Sequence, residues 1–129
     1  MPVVIDASAL FELVVTSELA PAVAQAVGAT DMVAPDVVNP EVLSILRRVE
    51  RRGALTAQRA VQAVDDLMDA PVRRFSTLPL LAEAWSLRAN LTAADACYVV
   101  LARILHCPLV TADRKLARAP GLGVPLVMV

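Results

Sequence analysis

With 129 residues the chain is the size of one ordinary domain, long enough to bury a core without disulfides or a structural metal. Hydrophobic residues at 57% against 19% charged exclude a disordered chain, and aromatics at 3% leave the core to Val, Leu, Ile and Ala, with some apolar surplus to cover an interface. A formal net charge of −1, from 12 basic and 13 acidic residues, excludes a polyanion binder that works by bulk charge.

The first predicted element is a strand at Val3-Val4-Ile5, a β-branched run that suits burial on both faces. Asp6-Ala7-Ser8 opens a helix to about Val15, and Ser17 is the expected N-cap of a second helix to Gly28, with Pro21 tolerated in its first turn. Met32-Val33-Ala34 reads as a strand. Pro40 sits near the start of a helix to about Arg52, whose Val38, Val42, Ile45, Leu46 and Val49 follow helical spacing until Gly53 stops it. Thr56 caps the next helix, where Ala57, Ala60, Val61, Val64, Leu67 and Met68 mark one face and Pro71 closes the segment.

Arg74-Phe75-Ser76 reads as a strand, and Pro79 to about Ala89 as a helix. Thr92 caps a further helix, so apolar from Ala96 to Leu105 that it must lie deep, with His106 as its C-terminal cap. Pro108-Leu109-Val110-Thr111 is a strand, Asp113 begins a short helix ending near Pro120, and Val124 to Val129 is a last strand. Strands alternate with helices and no hairpin signal appears, so the expectation is one α/β domain over residues 1–129 with a parallel sheet between helices.

Cys97 and Cys107 lie in apolar surroundings without metal-ligand spacing and read as reduced core thiols. The Met1-Pro2-Val3 opening has neither the basic nor the long apolar region of a signal peptide, and no apolar run spans a bilayer, so a cytoplasmic protein is expected.

In parallel α/β sheets, ligands bind beyond the carboxyl ends of the strands. Asp6 directly follows the first strand and Asp113 the Leu109-Val110-Thr111 strand, while Glu41 and Asp95 fall in first turns of helices. Each has an ordinary explanation as a cap or as a charge complementing a helix dipole, and Thr92 with Asp95 fits a capping box. Together they point elsewhere. Asp95 is the one charge between Thr92 and Ala102, and Asp6 ends a strand that must be central. Carboxylates converging there repel and take up protons unless neutralised, and a hard divalent cation neutralises them with oxygen ligands.

Rival chemistries lack their residues. The single histidine, His106, excludes a two-histidine acid–base ribonuclease. No Gly-rich phosphate loop and no Gly-x-Ser-x-Gly elbow is present, and Ser8 stands where an Asp-x-Asp phosphatase needs its second acid. Water activated by Mg²⁺ or Mn²⁺ on phosphodiesters is the chemistry left, with products carrying a 5′-phosphate and a 3′-hydroxyl. A non-enzymatic α/β binding module, its acids serving only as caps, is the competing reading.

Val3-Val4-Ile5-Asp6-Ala7-Ser8, Pro40-Glu41-Val42, Leu91-Thr92-Ala93-Ala94-Asp95-Ala96 and Leu109-Val110-Thr111-Ala112-Asp113-Arg114-Lys115-Leu116 resemble, in order and spacing, the four motifs of PIN domains. The compact length is most similar to the VapC toxins of type II toxin–antitoxin systems. The resemblance implies an α/β/α sandwich with a parallel sheet of about four to five strands. It also implies an endoribonuclease dependent on one or two Mg²⁺ or Mn²⁺ ions, a homodimer, and a VapB-like antitoxin, an arginine of which could enter the acid cluster. By motif match Asp6, Glu41, Asp95 and Asp113 become metal ligands, and Ser8 and Thr111 supporting hydroxyls. Lys115 stands where many relatives carry a further acid, which bears on a second metal. A PIN-like nuclease in RNA processing, outside any toxin system, is the alternative within the family.

Glu41, Arg48 and Arg52 share one side of their helix, which would line Arg48 and Arg52 up toward an RNA backbone, with Arg73, Arg74, Arg114 and Lys115 as further candidates. The helices Ser8–Val15 and Thr56–Met68 are the expected seat of an antitoxin helix.

Overall fold

The structure is a computed structural model that describes residues 1–129. Three residues, Val3–Ile5, form β1, buried throughout, and everything else is arranged around it. Its neighbours are β2 (Met32–Pro35) on one side and β4 (Leu109–Thr111) on the other, with β3 (Val72–Phe75) and β5 (Leu126–Met128) at the edges. All pairings are parallel, in the order β3-β2-β1-β4-β5. The chain therefore builds outward from β1 through β2 and β3, crosses back, and builds the other way through β4 and β5. The order reverses between β1 and β4, and such a reversal opens a crevice at the carboxyl ends of the strands.

The helices are α1 (Ala7–Val15), α2 (Ala20–Val27), α3 (Val38–Arg51), α4 (Ala57–Asp69), α5 (Leu81–Ser86), α6 (Ala93–Leu105) and α7 (Arg114–Arg118). One group is built on α1, which packs against α2, α3 and α4; in the other, α5 packs on α6, and α6 lies against β1 and β2. Tyr98 to Ala102 are buried without interruption, as the apolar sequence of α6 requires. Asp6, Thr56, Thr92 and Asp113 all cap helices through their side chains, as the sequence pattern predicts. Gly53 and His106 end α3 and α6 at positive φ. No single helix is long and apolar enough to cross a membrane.

Several expectations shift. Ser17 does not cap α2: its hydroxyl accepts from Leu19 N–H within a turn, and the helix starts three residues beyond it at Ala20. The third strand slides back to Val72–Phe75, because Val72 supplies the buried apolar anchor that Ser76 lacks. The helix expected over 79–89 splits into a 3₁₀ turn at Leu78–Leu80, with Pro79 inside it, and the short α5. On α4 the buried line is Ala60, Ala63 and Leu67, while Val61 and Met68 are 63% and 73% exposed and belong to a neighbouring, solvent-facing side.

Arg74 also leaves the list of RNA candidates. Its guanidinium donates to the carbonyls of Leu67, at 2.7 Å, and Val72, at 3.1 Å, and to Asn39 Oδ1 at 2.8 Å, so it ties the end of α4 and strand β3 to α3. Replacing Arg74 with Ala is expected to destabilise the fold by about 2 kcal/mol through the unpaired carbonyls while leaving RNA affinity per folded molecule unchanged. Urea unfolding beside filter binding checks both halves; a stable variant with weakened RNA binding would return Arg74 to the substrate surface.

Candidate active site

Asp6 leaves the end of β1 at the point where the strand order reverses and is 4% exposed. Its carboxylate does three local jobs. Oδ1 accepts from the Ala9 amide at 2.9 Å, which caps α1, and from the Ser8 hydroxyl at 2.6 Å. Oδ2 accepts from the hydroxyl of Thr111, the fully buried last residue of β4. Ser8 Oγ in turn accepts from the Ala112 amide at 2.9 Å. The two hydroxyls expected to support the site thus bridge β1, α1 and β4 around one buried acid.

The other three acids reach the same place from different elements. Glu41 projects from the first turn of α3, Asp95 from the first turn of α6, and Asp113 from the cap of α7. Together with Asp6 they line a cleft of ≈ 580 Å³, in the company of Ser8, Ser44, Ile45, Arg48, Tyr98 and Lys115. Burial drives the Asp6 carboxyl up to about 6 against the hydrogen bonds it accepts, and the Asp95 charge adds to the rise. Burial likewise raises Glu41 and Asp95, the first further lifted by Asp95 and the second by Asp113. The acids therefore feel one another's charge. The one ion pair in the structure joins Arg59 to Asp66, so none of the four acids is ion-paired, although Arg48 and Lys115 share the cleft lining.

Every acid that could ligate here offers oxygen, and the lining contains no histidine or cysteine, a donor set suited to Mg²⁺ or Mn²⁺ rather than zinc or copper. No three of the acids stand around one point at chelating distance. Repulsion among like charges favours that spacing, and a shared cation would oppose it. The donor chemistry fits a hard cation, and side-chain movement would have to complete its shell.

Of the predicted site residues, Asp6, Ser8, Glu41, Arg48, Asp95 and Asp113 line the cleft and Thr111 supports it from beneath, whereas Arg52, at the far end of α3, is not part of the lining. Sequence reasoning missed Tyr98. Its hydroxyl donates to Glu41 Oε1 at 2.7 Å, and burial together with the Glu41 charge pushes its pKa strongly upward, so the phenol keeps its proton. The signal was available: a tyrosine three residues after Asp95, in a helix predicted to be buried, needs a partner for its hydroxyl.

These features define an α/β protein with a carboxylate-lined cleft at the switch point of a parallel sheet. The family model described as PIN domain matches residues 3–122, and the chain belongs to the PIN-domain family. Ribonuclease VapC3 of Mycobacterium tuberculosis is 44% identical over 118 residues, covering 91% of this chain and 86% of the relative. Among solved structures, PAE2754 from Pyrobaculum aerophilum superposes with a TM-score of 0.72 at 23% identity, covering 98% of this chain and 90% of that one. VapBC2 from Rickettsia felis, bound to a DNA fragment from its promoter, gives 0.67 at 12% identity, covering 98% and 97%.

The burial of Asp6 has a measurable consequence. An acid raised from 3.8 to about 6 on folding makes the folded chain bind more protons than the unfolded chain between those values. In chelator, stability is therefore greatest at the acid end of that window and declines as pH rises through it, by at most about 3 kcal/mol from this group. Asp6→Asn, which keeps the Ala9 bond and can donate to Thr111, is expected to flatten that decline and to be the more stable protein at pH above 6. Denaturant unfolding of both proteins in EDTA across the window checks this; parallel curves would mean that Asp6 is not the group paying for burial.

Proposed function

We propose that residues 1–129 form one PIN-like ribonuclease domain, the toxin of a VapBC-like toxin–antitoxin pair, which hydrolyses RNA phosphodiesters with Mg²⁺ or Mn²⁺ held by Asp6, Glu41, Asp95 and Asp113. The observation that carries this reading is the single cleft lined by four carboxylates, mutually repelling and none of them ion-paired. The identity to a protein named as a ribonuclease supports the enzyme class. We place its action in the cytoplasm, a reading supported by two free, buried cysteines.

In this mechanism a divalent cation supplies Lewis acidity, lowering the pKa of a water and offsetting charge on the phosphodiester. The residues of the chain set the geometry. Ser8 and Thr111 hold Asp6 ionised in a buried position, because both donate to its charged form. Tyr98 holds Glu41. Arg48, which lines the cleft from the same helix as Glu41, is suited to engage a phosphate, and Arg52 lies one turn further along that helix to extend the grip. Lys115 at the cleft favours one ion over two, since an ammonium occupies ground where a second cation would need an acid.

For the antitoxin, the groove lined by Leu10, Leu13 and Val14 of α1 and by Asp66 and Asp69 of α4 is the best seat. The rest of α1 is core. The related structure that contains both VapB and VapC supports such a partner. We also propose a homodimer, supported by the apolar surface of Leu78, Leu81 and Trp85, which are 74%, 50% and 68% exposed.

Purified protein should cut cellular RNA into discrete fragments with Mg²⁺ or Mn²⁺ and not in EDTA, and Asp6→Asn should lose on the order of a hundredfold or more in rate. The fragments should carry 5′-phosphates; cyclic phosphate ends would sink the mechanism, because they require the 2′-hydroxyl as nucleophile. Arg48→Ala with Arg52→Ala should lower RNA affinity and reduce the salt slope by about 2, as loss of two phosphate contacts requires. An unchanged slope would remove both from the substrate path.

A further inference from the structure

Tyr98 is the one fully buried side chain that reaches the cleft with a polar atom from below: it is 1% exposed, yet its hydroxyl lies 2.7 Å from Glu41 Oε1. It stands three residues after Asp95 on α6, so the two share a helix face. Glu41 comes from α3, in the other helical group, and the phenol is the side-chain hydrogen bond that joins the two helices at the cleft. The bond engages only Oε1; Oε2 has no protein partner. A glutamate has three rotatable side-chain bonds, and in a half-buried position among like charges it would otherwise swing outward toward water. A buried phenol on a packed helix has far less freedom.

We propose that Tyr98 is a positioning residue that fixes the Glu41 carboxylate for metal, holding Oε1 on the protein side so that Oε2 faces the cleft. The inference rests on the reading of Glu41 as a ligand. Outer-shell donors of this kind commonly contribute ten- to hundredfold to metal affinity. Without the phenol, Glu41 must be ordered at the moment the cation binds, so affinity falls and the catalytic step slows, while RNA, which meets the rim cations first, binds as before.

The test compares wild type with Tyr98→Phe, which keeps the ring and removes the donor. By calorimetry, Mn²⁺ affinity should fall about tenfold or more. In cleavage assays kcat should drop with KM for RNA unchanged. In a Glu41→Gln background the same substitution should cause no further loss, because residues that act as a unit are not additive. Mn²⁺ affinity within twofold of wild type in a folded Tyr98→Phe protein would overturn the inference, as would additive losses in the double variant. A second measurement does not depend on that variant folding. Tyr98 is the single tyrosine of the chain, so the tyrosine ring bands in ultraviolet Raman spectra report this hydroxyl alone. They should show a strong donor in wild type, with and without Mn²⁺, and lose that character in Glu41→Ala; a wild-type spectrum without donor character also overturns the proposal. The two readings separate cleanly: Tyr98-dependent Mn²⁺ affinity without RNA cleavage refutes the nuclease and leaves the positioning role, whereas metal-dependent cleavage with Tyr98-independent affinity does the reverse.

Discussion

A carboxylate at the end of the central strand, withdrawn almost completely from water, is the feature around which the molecule is built. Burying an ionised acid is expensive unless hydrogen bonds or counter-charges compensate. Around Asp6 the compensation comes from a backbone amide and two hydroxyls drawn from two parts of the chain: Ser8 and Ala9 in the first turn of α1, and Thr111 at the end of β4. It is partial, since the Asp6 carboxyl still rises to about 6. The site is thus held in a state that the fold alone does not favour, as expected where charge is stored for chemistry.

Topology explains why four acids from distant parts of the sequence meet. Parallel strands deliver their carboxyl ends to one edge of the sheet, and the order β3-β2-β1-β4-β5 parts the following helices at β1 and β4. The elements after those strands begin at this edge, and helix starts accept acidic side chains readily, because their free N–H groups and dipole favour negative charge. Asp6 and Asp113 each cap a helix through the carboxylate that also lines the cleft. Local folding physics and the acid cluster therefore call for the same residue types at the same positions, and no local conflict has to be overcome to assemble the site.

The same coincidence governed how much could be read in advance. The β-branched run at Val3–Ile5, the Thr56 and Thr92 caps and the Gly53 stop are short-range signals, and the elements they mark lie where expected. Asp6 and Asp113 were legible because strand-then-acid is a short-range pattern too, and Glu41 and Asp95 because an acid in the first turn of a helix is another. What was lost depends on distance. Periodicity on α4 places Val61 and Met68 near the apolar line, but which of two adjacent faces meets α1 and α3 is decided by packing, and alanines at 60 and 63 permit the closer approach. Arg74 looks like a surface cation until the end of α4 presents it with carbonyls. Tyr98 reaches Glu41 across 57 residues of sequence, a pairing no local pattern encodes.

The balance of charge inside the cleft bears on how a polyanion is admitted at all. Four carboxylates face two cations, Arg48 and Lys115, among the lining residues. With the acids ionised, a phosphodiester approaching the floor of the cleft meets net repulsion, stronger there than in bulk water because the surrounding side chains lower the effective dielectric. The overall charge of −1 supplies no compensating attraction from a distance. Positive charge brought into the acid cluster would offset that repulsion: one divalent ion held by the acids would bring the four carboxylates and two basic side chains to formal neutrality, and a phosphodiester could then approach them. Arg48, on the helix that carries Glu41, then has its value at the rim: it can hold a phosphate at the mouth without entering the acid cluster, where it would compete for the same carboxylates.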